Sequence, residues 1–203
     1  MSPTRTRTRA AAQQRRAATE QAILDATEAL LETRPFRALT VEDVMEVAGL
    51  SRTAFYRYFP DLETVVLRHM AGIADELFVA SQDWLKADDP DAQLLDSGLR
   101  IAAVYRDHGR VMQAFSDATG AGPDVHQAWR SVLDSLIEPG VAHLEALIAA
   151  GRADCERPGE TIRALSVLID RYMLDIYGRS SDVDIAEPVA VLLQIWRRTL
   201  RLR

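Results

Sequence analysis

The chain has 203 residues, 48% hydrophobic and 27% charged, with 24 Lys and Arg against 30 Asp and Glu and a single cysteine, Cys155. That composition suits a folded chain with a sizeable apolar core, and it excludes an intramolecular disulfide framework or a multi-thiolate metal site. There is no apolar run of roughly eighteen residues, and the start is Arg-rich rather than apolar. No membrane span and no secretory leader are therefore expected, and the cytoplasm is the expected compartment.

The net charge of −6 is unevenly divided. Residues 1–60 hold nine arginines and seven acids, whereas residues 61–203 hold fifteen Lys and Arg and twenty-three acids. Positions 1–16 contain Arg5, Arg7, Arg9, Arg15 and Arg16 and no acid, which reads as a basic disordered tail. Phosphate attraction acts within a Debye length of about 10 Å, so a basic end on an acidic body is compatible with nucleic acid. A plain solvated extension has the same composition, and both readings stand.

Nearly every segment after the tail carries helical periodicity. Residues 17–33 place Ile23, Ala26 and Leu30 on one stripe, and Pro35 ends the helix. Thr40, with Asp43 three residues on, caps a short second helix whose apolar face is Val44, Val47 and Ala48. Gly49 stops it as the left-handed residue past its end. Ser51 caps a third short helix that reaches Phe59, and Pro60 and Asp61 turn the chain into a long helix from Leu62 to about Lys86. After the acidic stretch Asp88–Asp91, helices are expected over 94–107 and 110–118, separated by Gly109. Another follows Pro123 and runs to about Ala150, with a kink at Pro139-Gly140. Residues 160–177 and 186–202 form the last two, joined by a polar loop. No strand pattern occurs, so the fold class is all-α with about nine helices.

The stretch Thr40–Asp61 is two short helices joined by a tight glycine-containing turn, a helix-turn-helix. Phe55 and Phe59 are one turn apart and are expected to pack inward with Val44, Val47 and Leu50. Arg52, Thr53, Tyr56 and Arg57 then face outward, and their guanidinium forks, hydroxyl and phenol suit phosphates and base edges. Ser51 sets a hydroxyl at a helix N-terminus, where a phosphate can dock. An aromatic-rich helix packing on its neighbours accounts for Phe55 and Phe59, but not for Tyr56, Arg57 and Tyr58 side by side.

The order TVEDV, AGLS, FYRYFPDLE and then a long helix, over about residues 20–70, resembles the TetR family of bacterial repressors. The resemblance implies a homodimer on a near-palindromic double-stranded operator, released when a ligand occupies the C-terminal domain. It places the DNA contacts on Thr40, Ser51, Arg52, Thr53, Ala54, Tyr56, Arg57 and Tyr58. Many members carry a lysine at the start of the fourth helix, where this chain has Leu62, so that phosphate contact is expected to be missing. The Arg-rich tail is the alternative source of charge, with the minor groove as its expected place. LLETRPFRALTVEDV, ALSVLIDRYMLDIY and IWRRTL are also similar to the repressors of the ethionamide-activating monooxygenase. That group implies a long apolar tunnel. Here several of its positions are aliphatic or small (Leu95, Ala102, Leu133, Leu136, Pro139, Ile169), which implies a different ligand.

The chain thus divides into the tail at 1–16, a helix-turn-helix domain at 17–62, and a ligand-binding and dimerisation domain at 63–203. The last two predicted helices are apolar on more than one side, the pattern of a four-helix bundle formed by two copies, although a fully internal pair has the same pattern. The candidate lining for a small apolar ligand is Tyr105, Met112, Phe115, Trp129, Leu133, Leu136, Asp170, Met173 and Trp196, each equally a core residue taken alone. Asp170 and Arg171 also read as a plain ion pair. No nucleotide-binding, zinc-protease or nucleophile-elbow motif occurs, and His69, His108, His126 and His143 do not pair at helical spacing. No catalytic residue, cofactor or metal is expected. An enzyme and a helical module that has lost DNA recognition remain the competing classes.

Overall fold

The computed structural model describes residues 3–85, 90–118 and 123–202. Among them there are eight α-helices and no strand. The chain forms two compact units, Met1–His69 and Met70–Arg203, a division seven residues later than the one read from the sequence at 62/63.

In the first unit, α1 runs over Pro3–Leu31 and packs on α2 (Val41–Val47), which packs on α3 (Arg52–Phe55). The segment read as a disordered tail is therefore helical from Pro3. Its second half, residues 9–16, consists of Ala, Gln and Arg, and these residues lose little rotamer freedom in a helix. Only the C-terminal part of α1 is anchored: Ile23, Leu24, Ala26, Leu30 and Leu31 are buried, and the buried Thr27 hydroxyl donates to the Ile23 carbonyl at 2.8 Å. Residues 9–18 are exposed.

Between α1 and α2, Phe36–Ala38 forms a single 3-10 turn. Thr40 then begins α2 with a reciprocal cap. Its hydroxyl accepts from the Asp43 backbone N–H at 3.2 Å, and its own N–H donates to the Asp43 carboxylate at 2.9 Å. The Thr40 hydroxyl and Arg34 hold the Asp43 carboxyl below its ordinary range. Gly49 sits at φ +67, the left-handed conformation that turns the chain from α2 towards α3. Val44, Phe55 and Phe59 are buried as their spacing predicts, and Leu50 is half-buried. Val47 is not part of this core. It is 52% exposed, because α2 is only seven residues long and its buried face is supplied by Val44 and Met45.

In the second unit, α5 (Pro90–Ala118) packs on α7 (Pro158–Tyr177) and on α8 (Ala186–Leu200), while α6 (Pro123–Ala149) packs on α7. The long α4, Leu62–Leu85, buries Met70, Ile73, Ala74, Leu77, Ala80 and Trp84 at three- and four-residue steps. Asp88 and Asp89 lie outside the described residues. Two expected helices prove to be one, since α5 passes through Gly109 without a break, and this leaves eight helices rather than nine. The glycine has another purpose: a Cβ built on it would lie 2.5 Å from the Tyr177 carbonyl oxygen. It admits the end of α7 against α5. α6 likewise continues through Pro139.

The Tyr177 hydroxyl donates to the Asp184 carbonyl at 3.2 Å and closes the loop between α7 and α8. Arg201, at φ 46, ends α8, and its guanidinium pairs with Asp154 at 3.0 Å. No described helix is long and apolar enough to cross a membrane.

Candidate DNA-reading face and ligand cavity

The first unit presents a polar face built on the turn after Gly49. Ser51 caps α3 by accepting from the Ala54 N–H at 3.3 Å, and the helix tightens after Phe55, whose carbonyl receives the Tyr58 and Phe59 N–H groups at 2.8 and 3.0 Å. This short helix is fixed from beneath by two rings. Phe55 is fully buried and its ring lies 6.0 Å from that of Phe59.

Burial on that side turns the intervening residues outward. Arg52, Thr53, Tyr56 and Arg57 are exposed, and Ala54 and Tyr58 are half-buried. The Arg52 guanidinium lies 5.9 Å from the centre of the Tyr56 ring, reaches its hydroxyl at 3.4 Å, and pairs with Glu42 on α2. Arg16, from α1, lies 6.0 Å from the centre of the Tyr58 ring. The eight residues singled out for DNA therefore share one region, but not one condition. The Thr40 hydroxyl both accepts from and donates to Asp43, the Ser51 hydroxyl accepts from Ala54 and can still donate, and Arg52 is held by Tyr56 and Glu42. Glu42 and Arg16 were not anticipated. Both reach the face from other helices, and no local spacing could have revealed them.

The second unit forms a partly open cavity of about 160 Å³. That is close to the roughly 150 Å³ of an apolar void able to hold a benzene ring. Six of the nine residues expected to line a ligand site surround it: Tyr105, Leu133, Leu136, Asp170, Met173 and Trp196. Met112 and Phe115 do not. Both are buried elsewhere, because seven and ten residues beyond Tyr105 on α5 they stand at least about 10 Å further along the helix. Trp129 has its side chain outside the described residues. Of the positions that differ from the ethionamide-type tunnel, Ile169 also lines the cavity, whereas Leu95 is 46% exposed.

Several lining residues had no local signature, among them Trp84, Ser81, Ser97, Ser166 and Ile162. Gly140, beside Pro139, lines the cavity as well. The Trp84 ring stands edge-on to Trp196 at 5.4 Å and to His143 at 4.8 Å. Burial lowers the pKa of His143 below its ordinary value of 6.5. The Tyr105 hydroxyl donates to Asp170 at 3.2 Å. Burial first, and the Asp170 charge second, push the Tyr105 phenol well above its ordinary value, so it stays a neutral donor.

The last two helices present a second apolar face away from this core, with Val167 and Leu168 on α7 and Val191 on α8 exposed. Cys155, in the loop before α7, is half-buried and 3.3 Å from the Thr161 hydroxyl.

Comparison with known proteins places both halves. Residues 23–68 match the family described as bacterial regulatory proteins, tetR family, and residues 98–200 match the C-terminal domain of the transcriptional regulator EthR. The chain is similar to the HTH-type transcriptional regulator EthR of Mycobacterium tuberculosis, with 28% identity over 182 residues, 87% of this chain and 84% of that protein. The Mycolicibacterium smegmatis EthR is 29% identical over 192 residues, covering 89% and 85%. In fold it is similar to the TetR-family transcriptional regulator PfmR of Thermus thermophilus, with a TM-score of 0.72 at 18% identity, over 88% of this chain and 97% of that one.

Proposed function

Because the chain belongs to the TetR family of bacterial regulatory proteins and carries the EthR C-terminal domain, we propose that it is a repressor released from a palindromic operator by a small apolar ligand. The observation that carries the DNA half is the outward set Arg52, Thr53, Tyr56 and Arg57 on a helix whose inner side is pinned by Phe55 and Phe59. A buried aromatic underside fixes where the polar side chains point, which is what base reading in a major groove requires.

Charge comes from α1 as well as from α3. A helix about 10–12 Å across does not enter a B-DNA minor groove about 6 Å wide, so Arg9, Arg15 and Arg16 act along the backbone rather than within that groove. They take the place of the lysine that Leu62 lacks.

Two copies are required. A two-fold pair of reading helices meets successive major grooves when they stand about 34–36 Å apart. The exposed Val167, Leu168 and Val191 form the apolar surface through which the second copy is held, as α7 and α8 of each chain complete a four-helix bundle. The cavity supplies the switch. A ligand that fits the DNA-free state better weakens DNA binding by the same factor by which DNA weakens the ligand.

Fluorescence anisotropy against DNA from upstream of the chain's own coding region, at several salt concentrations, tests this. The expected result is saturable binding that survives excess unrelated DNA and falls steeply with salt. Equal affinity for every sequence would overturn the repressor reading.

A further inference from the structure

On the ligand-released reading above, we infer that the cavity takes an apolar amine, bound as its ammonium ion against Asp170, and rejects a carboxylate of the same shape. Among the described lining residues Asp170 is the one formally charged side chain, and no guanidinium or ammonium lines the space. An anionic head group would meet a like charge, offset only by the solvent-exposed Arg171 guanidinium outside the lining, at a cost that grows in a low-dielectric site.

Asp170 is ready for a cation. Its side chain is 16% exposed, and its two oxygens have different partners. Oδ2 accepts two N–H groups from Arg171, each at 3.0 Å, while among the described residues Oδ1 accepts only the Tyr105 hydroxyl. A carboxylate oxygen has two lone pairs, so Oδ1 can accept a second donor beside Tyr105. Arg171 does not take that place. Its side chain is 60% exposed and its pairing with Oδ2 is half in water, where such a pair contributes little.

Three aromatic rings stand in an otherwise mostly aliphatic wall. Trp84 and Trp196 stand edge-to-face, and Tyr105 adds a third ring. The negative faces of such rings attract an ammonium, and the aliphatic side chains Leu133, Ile162 and Met173 accommodate its hydrocarbon part. A neutral alcohol can donate to Oδ1 too, but a charge-assisted bond is about twice as strong.

Isothermal titration of the full-length protein with phenylpropylamine, phenylpropanol and phenylpropanoate reads this directly. The expected order is amine tightest by about tenfold or more over the alcohol, with the carboxylate weakest. Asp170→Asn should cost the amine far more than the alcohol and so collapse the preference between them. Equal binding of amine and alcohol, tighter binding of the carboxylate, or no binding of any of the three overturns the inference. The wild-type ranking decides it even if the variant folds poorly. The same compounds added to the operator complex separate the two proposals. An amine that binds without releasing DNA sinks the ligand-released reading and leaves the cavity chemistry standing, whereas release by the alcohol as readily as by the amine does the reverse.

Discussion

Arg52 and Tyr56, one helical turn apart, hold each other: the guanidinium lies 5.9 Å from the ring centre and reaches the hydroxyl at 3.4 Å, while Glu42 binds the same guanidinium from α2. Two long side chains that would otherwise sweep through many rotamers are thereby restricted before DNA arrives. Part of the ordering cost of recognition is met in advance.

Replacing Tyr56 by Phe together with Arg57 by Ala is therefore expected to cut operator affinity by more than about tenfold, since each lost base or phosphate contact is worth roughly 1–3 kcal/mol. Both residues are exposed, and phenylalanine keeps the ring that Tyr56 sets edge-on to Phe55 at 5.4 Å, so the melting temperature should stay within about a degree of wild type. Anisotropy and a thermal melt on the same sample check both halves. Unchanged operator affinity would show that the reading helix has been placed wrongly.

Gly109→Ala is expected to destabilise the protein although alanine is the better helix former. The new Cβ would lie 2.5 Å from the Tyr177 carbonyl oxygen, and that atom belongs to the backbone and cannot swing away. Overpacking of this kind costs about 1–3 kcal/mol, a drop of several degrees in Tm. Gly159→Ala is the matched control. A Cβ there meets nothing within 4 Å, and the substitution should be neutral or slightly stabilising.

The two glycines that the sequence marks as stops, Gly49 and Gly109, explain what local reading can and cannot find. Gly49 is a stop because its φ of +67 is a local requirement, and the neighbouring cap pattern Thr40 to Asp43 announces the same boundary. Gly109 meets its constraint 68 positions away, at Tyr177, so locally it resembles any other helix breaker. The reading face follows the same rule. Phe55 and Phe59 are placed by spacing alone, while Glu42 and Arg16 arrive from other helices. In the cavity, Tyr105, Asp170 and Trp196 were legible as polar or aromatic residues on apolar stripes. Trp84 was not, since it closes the α4 stripe like any buried residue, and only the fold sets it against Trp196.

Stability should fall as the solution is acidified below neutrality, in part through His143. Burial lowers its pKa from 6.5, so the unfolded chain binds the extra proton first. With the folded pKa depressed, this contribution is fully present above about pH 6.5 and is lost as the pH falls through the folded value. His143→Gln removes the titration and should shrink the Tm difference between about pH 7.5 and about pH 5.5 by a few degrees. An identical pH profile in the variant would assign the acid sensitivity to other groups.

The outer face of α7 and α8 gives a test of assembly. Val167 is 52% and Val191 44% exposed, so a charge at either position meets water in a single chain. In a dimer joined through this face, the same charge is buried against apolar side chains without a partner, at a cost of several kcal/mol. Val167→Asp with Val191→Asp should therefore leave helical content intact while light scattering reports a monomer. The operator affinity should fall by about a hundredfold or more, because each half-site is then bound without the effective concentration that a linked partner provides. A double variant that remains dimeric would move the interface elsewhere on the second unit, and one that is monomeric yet binds the full operator as tightly would remove two-fold symmetry from the recognition scheme.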